Sequence, residues 1–88
     1  MTDGERVAVA VDDAWPADAE ADEGVVINWF TREGRGVEAG EAICEIQVEK
    51  VDADVLAPVA GTLAEVVRGE DDEFERGDTL AWIEPDES

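Results

Sequence analysis

The sequence predicts an all-β fold: two short antiparallel sheets stacked as a flattened barrel or sandwich, with a pseudo-twofold internal repeat. Three observations predict it. Apolar residues fall in short, often alternating runs; Gly, Asp and Pro separate the runs; and residues 24–46 recur without a gap as residues 61–83. At 88 residues the chain makes one domain, 1–88, with its core in about 6–84.

The elements follow in order. "RVAVAV" (Arg6 to Val11) opens the chain as an alternating strand. "DDAWPADAEADEG" is the one stretch with helical potential, but its central Pro16 and its polarity favour an acidic loop. "VVINWF" (Val25 to Phe30) and "AICEIQV" (Ala42 to Val48) are the next strands. In "VDADVL" (Val51 to Leu56), Val51, Ala53 and Val55 alternate with Asp52 and Asp54, the pattern of a half-buried strand. "TLAEVV" (Thr62 to Val67) and "TLAWI" (Thr79 to Ile83) complete at least six strands, none long enough for a helix of usual length.

In the repeat Gly24 matches Gly61, Val26 matches Leu63, Phe30 matches Val67, Val37 matches Phe74, Gly40 matches Gly77 and Ile46 matches Ile83. Two copies are too few for a solenoid, which needs about three or more. Two similar halves, each contributing to both sheets, fit better. In each half "VEAGE" or "FERGD" supplies an inward apolar residue, a glycine turn and the next strand. The segment joining the halves is a hairpin with Glu49 and Lys50 at its tip. Under the repeat, this tip corresponds to the chain's two ends.

Composition excludes much. The net charge of -19 argues against nucleic acid and anionic membranes as partners. With 44% hydrophobic residues in ordered patterns, the chain reads as a folded domain with a carboxylate-coated surface, as in cytoplasmic proteins of extreme halophiles. Such a fold is expected to loosen in low salt and tighten in molar KCl. No apolar run approaches the roughly 18 residues of a membrane span, and no signal-type cleavage site follows the start. A soluble, cytoplasmic protein is expected. There is no His or Tyr, and one cysteine, Cys44, which reads as a small buried hydrophobe. These counts leave no catalytic triad, no structural zinc site and no internal disulfide. "GEDDE" (Gly69 to Glu73) lacks the ligand spacing of a calcium loop and reads as solvated surface.

Lys50 is the only lysine; the other five basic residues are arginines. A hydrated tip beside Glu49 and Asp52 does not depress a lysine pKa, so Schiff-base chemistry is not expected. An exposed lysine on a rigid turn is well suited to covalent modification. The bland alternative is a surface lysine without a role.

These residues resemble the biotinyl/lipoyl carrier domain family over about Glu23 to Glu84, with Arg6 to Val11 as opening strand. The matching pieces are Glu23-Gly24 before "VVINWF", then "EGRGVEAGEAICEI", Lys50, Ala57-Pro58, "GTL" from Gly61 and "GDTLAWI". The resemblance implies a barrel-sandwich hybrid fold and an amide-linked cofactor on Lys50. Lipoyl domains place an acidic residue before the lysine, as Glu49 is placed here. Biotinyl domains use Met-Lys-Met, which is absent. Lipoate is therefore the expected group and biotin the alternative; a third reading is an unmodified interaction module of the same fold.

The resemblance ties Glu49, Val51, Gly24 and Gly61 to recognition by the lipoate-attaching enzyme. It implies a swinging arm that visits a thiamine-diphosphate decarboxylase, an acyltransferase and a flavin dehydrogenase, as in 2-oxo-acid dehydrogenase complexes, with no active site of its own. The acidic loop Asp12 to Glu23 is expected near the modified tip, where Trp15 either contacts the decarboxylase or packs over the edge of a thin core. Trp29 and Trp82 are expected in or half in the core. The chain stops at "IEPDES", just past the last strand, so a free-standing carrier or an excised domain is expected, and the start "MTDGER" favours the former.

Overall fold

The computed structural model describes residues 6–11 and 15–86. Eight strands follow one another: β1 (Val7–Ala10), β2 (Glu23–Trp29), β3 (Gly36–Val37), β4 (Ala42–Val48), β5 (Val51–Leu56), β6 (Gly61–Val66), β7 (Glu73–Glu75) and β8 (Thr79–Pro85). They form two four-stranded antiparallel sheets, ordered β1-β8-β6-β3 and β5-β4-β2-β7. The six expected strands are all present. The two additional ones, β3 and β7, are the inward apolar positions of "VEAGE" and "FERGD", paired across to the other half.

The two halves agree in register as well as in sequence. In β2–β4, Val26 pairs with Ile46 and Trp29 with Cys44; in β6–β8, Leu63 pairs with Ile83 and Val66 with Ala81. A register shift falls between Val26 and Asn28 in one and between Leu63 and Glu65 in the other. The cross-braces correspond too: Gly24 faces Phe74, and Gly61 faces Val37. β1 on β8 then copies β5 on β4, with Val9 opposite Ala81 where Val55 is opposite Cys44.

Both cross-braces need a glycine. A methyl on Gly61 would collide with the Glu84 carbonyl oxygen, and one on Gly24 would lie 3.0 Å from Phe74 Cζ and 3.1 Å from the Gln47 carbonyl oxygen. The turn after each brace is of type II. Glu41 N donates to Glu38 O at 3.0 Å and Asp78 N to Glu75 O at 2.9 Å, with Gly40 at φ 85° and Gly77 at φ 90° in the third position. A side chain closes each turn: Glu41 Oε1 accepts from Glu38 N, and Asp78 Oδ2 accepts from Glu75 N, both at 2.9 Å.

The core lies between the sheets and draws on both halves. Val26, Ile43, Ile46, Leu63, Leu80 and Ile83 are fully buried, each contributing roughly 1.5–3 kcal/mol of hydrophobic stabilisation. No charged side chain is buried among the described residues. Phe30 and Val67, matched in the repeat, lie just beyond β2 and β6 and stay exposed.

Candidate functional site

β4 and β5 pair in register up to Val48 and Val51, which leaves a two-residue tip of Glu49 and Lys50. Glu49 has φ 59°, the positive side that favours glycine, and Lys50 does not share the positive angle. A residue without glycine's freedom there costs roughly 1–2 kcal/mol, which surrounding contacts must offset. Below the tip, Gln47 Nε2 donates to Asp52 Oδ1 at 3.1 Å. Val51 is 48% exposed beside the lysine. Lys50 itself is exposed and makes no ion pair among the described residues, despite the acidic surface around it.

Glu49 does not point to solvent alone. Its Oε2 accepts from the backbone amides of Glu20 at 2.7 Å and Ala21 at 2.8 Å, so the β1–β2 loop lies against the tip. The first residues of that loop, Asp12 to Ala14, lie outside the described residues. Sequence reasoning placed Glu49 beside the lysine but missed this contact, because backbone amides leave no side-chain signal.

Trp15 resolves the two readings in favour of packing. It is 6% exposed, its ring meets Phe74 edge-on at 5.9 Å and 86°, and its Nε1 donates to Ala21 O at 3.2 Å. The Arg76 guanidinium carbon lies 5.9 Å from the same ring. A side chain so covered leaves little surface for a partner. Trp29 and Trp82 are half-buried, and Trp29 Nε1 donates to Arg68 O at 2.8 Å.

Gly24 stands at the foot of the tip: a methyl there would lie 3.1 Å from the Val48 Cγ2 atom. Gly61 is not brought to the site. It pairs with Val37 and Pro85, at the end of the sandwich away from the hairpin. The structure thus gathers Glu49, Lys50, Val51 and Gly24, and gives Gly61 the equivalent packing position in the other half.

Other chemistry is limited. Burial pushes the Cys44 thiol up from 9.0 to about 12, with the nearby Asp54 charge adding to the effect, so it remains protonated and unreactive at neutral pH. In "GEDDE", Asp72 Oδ2 accepts from Gly69 N at 2.7 Å, closing a turn with Asp71 at φ 71°. No group of three or more metal-ligating side chains gathers among the described residues. A rigid sandwich that holds one uncommitted lysine on a protruding turn is built to display a group, which is the arrangement of a carrier domain.

Comparison with known proteins agrees. The family described as biotin-requiring enzyme, the biotin/lipoyl group, matches residues 15–83. The chain is 38% identical over 61 residues to the dihydrolipoyllysine-residue acetyltransferase component of the pyruvate dehydrogenase complex of Corynebacterium glutamicum. It is 37% identical over 61 residues to the succinyltransferase component of the 2-oxoglutarate dehydrogenase complex of Staphylococcus saprophyticus. Each match covers 69% of this chain but only 9% and 14% of those relatives. Among solved structures, the lipoyl domain of the 2-oxoglutarate dehydrogenase complex from Azotobacter vinelandii superimposes with a TM-score of 0.67 at 31% identity, over 90% of this chain and all of that one. A long-chain acyl-CoA carboxylase gives a TM-score of 0.75 over this whole chain and 8% of its own, at 18% identity, a likeness of fold alone. This chain belongs to the biotinyl/lipoyl domain family, and the sandwich described above is that family's fold.

Proposed function

We propose that the domain is a lipoyl carrier, with lipoate joined through an amide to Lys50 Nζ. The observation that carries this reading is the tip itself: the only lysine of the chain, exposed and without an ion pair among the described residues, on a two-residue turn. These features fit a covalently attached group. The amine is accessible, its flanks are held, and amide formation removes a positive charge that no neighbour depends on. The residues beside it are Glu49 and Val51 rather than the methionines of biotinyl tips, and the relatives named above are dihydrolipoyllysine proteins.

Bound lipoate would supply a dithiolane that carries acyl groups and electrons. The protein supplies rigidity at the attachment point and reach from the four-carbon lysine stem, which together raise the local concentration of the arm at each partner's site. The partners on this reading are a lipoate-attaching enzyme and the thiamine-diphosphate decarboxylase, acyltransferase and flavin dehydrogenase components of a 2-oxo-acid dehydrogenase-like system. The domain has no active site of its own in this scheme, and the setting is the cytoplasm.

Intact-mass measurement of the protein from its native host tests the reading. A lipoyl increment that gains two hydrogens on reduction, and is lost completely in Lys50→Arg, is expected. Streptavidin capture would instead indicate biotin. Unmodified protein in cells that lipoylate other carriers would leave an interaction module of the same fold.

A further inference from the structure

We propose that Glu49 is a strut: its carboxylate joins the β1–β2 loop to the lysine hairpin, so that a modifying enzyme meets loop and tip as one preformed surface. The inference rests on the lipoyl-carrier reading and adds how the site is held in shape.

Two consecutive amides, Glu20 and Ala21, donate to the single oxygen Oε2 at 2.7 and 2.8 Å, across separations of 29 and 28 residues. Both are charge-assisted bonds, the stronger class of hydrogen bond. The same side chain belongs to the residue with φ 59°, so the bonds also help hold the backbone that projects Lys50.

The contact closes a circuit. Ala21 is held at both polar groups, its amide by Glu49 and its carbonyl by Trp15 Nε1 at 3.2 Å. Trp15 packs on Phe74, and Phe74 stands opposite Gly24, whose Cα hydrogens face Val48 at the base of the tip. Tip, loop, ring pair and glycine brace are therefore one mechanical unit. Within it Glu49 turns Oε2 to the loop at the exposed surface, where Glu20 and Asp22 are exposed as well. An enzyme selecting Lys50 meets an acidic surface that Glu49 arranges, rather than reading the Glu49 charge directly.

The strut separates from direct charge reading by two variants and two readouts on the full chain. Glu49→Ala removes the acceptor; Glu49→Gln removes the charge but keeps an acceptor oxygen. Solvent-exchange NMR of unmodified protein follows the Glu20 and Ala21 amides, and purified lipoate–protein ligase with lipoate and ATP gives kcat/KM for Lys50. Glu49→Ala is expected to speed exchange at both amides about tenfold and to lower kcat/KM by a similar factor, chiefly through KM. Glu49→Gln is expected to keep both within about threefold of wild type. Unchanged exchange in Glu49→Ala would overturn the strut. So would a Glu49→Gln protein whose amides stay protected while kcat/KM falls as far as in Glu49→Ala. Wild-type protein that the ligase leaves unmodified would refute the carrier reading instead, and the exchange arm would still decide the strut.

Discussion

The β1–β2 loop and the β5–β6 connection occupy equivalent places in the two halves, yet they are built differently. Their first residues correspond: Gly40 N donates to Ala57 O at 2.8 Å, and Gly77 N donates to Val11 O at 3.4 Å. Beyond that point the second connection crosses to β6 with only Ala57 to Ala60. The first runs on to Asp22 and carries Trp15 and the Glu20 and Ala21 backbone amides that meet Glu49. The scaffold is doubled while the site is single. Where the halves match, the residues are those of packing; where they differ, the difference is gathered at the lysine end.

Trp15 has no counterpart in the other half, so removing it is expected to have the largest effect on stability. Trp15→Ala should cost about 3–5 kcal/mol in urea unfolding and release the Ala21 carbonyl with it. A loss near 1 kcal/mol or less would mean that the loop contributes little to the core.

The two brace glycines come next, and they rank unequally. Gly61→Ala drives a methyl into the rigid carbonyl of Glu84 and is expected to cost about 3 kcal/mol, the upper end for overpacking. At Gly24 the nearest atom is the Phe74 ring edge at 3.0 Å, with the Val48 methyl and the Gln47 carbonyl oxygen at 3.1 Å. A ring and a methyl can shift by tenths of an ångström, so Gly24→Ala should cost about 1–2 kcal/mol. Its effect on lipoylation of the neighbouring tip should nonetheless exceed that of Gly61→Ala, measured on whatever fraction remains folded. Equal effects on modification would show that closeness to the tip is unimportant.

Much of this comparison was legible in the sequence. The strands Ala42–Val48 and Val51–Leu56 have the bounds that alternation and the two-residue tip implied. The repeat indicated which positions correspond. β3 and β7 were legible only as turns, because strands of two and three residues carry one buried apolar residue each and no period. Gly24 and Gly61 carried the same signal, and only strand pairing shows that one lies at the tip and the other at the far end. Pro16 and the acids marked a loop, but nothing local to Trp15 named Phe74 as its partner. The Glu49 contact was the least visible feature, since every residue offers a backbone amide.

Cys44 and Ala81 are the sharpest test of equivalence with the smallest expected effect. Both are fully buried, and each faces the same position of its partner strand, Trp29 for one and Val66 for the other. Cys44→Ala makes the halves alike there and should cost about 1 kcal/mol at pH 7. Alkaline pH reverses the comparison. Folding holds the thiol protonated up to about 12, whereas the unfolded chain loses that proton from about 9.0. The group's contribution is thus complete below pH 9.0 and is lost as pH rises towards about 12. In that window the wild type should lose stability relative to Cys44→Ala with a slope approaching about 1.4 kcal/mol per pH unit. The two proteins share every other side chain, so the difference isolates the thiol. Urea unfolding curves that stay parallel from pH 7 to 11 would show that Cys44 is less enclosed than Ala81, and that the doubled scaffold is already asymmetric in its core.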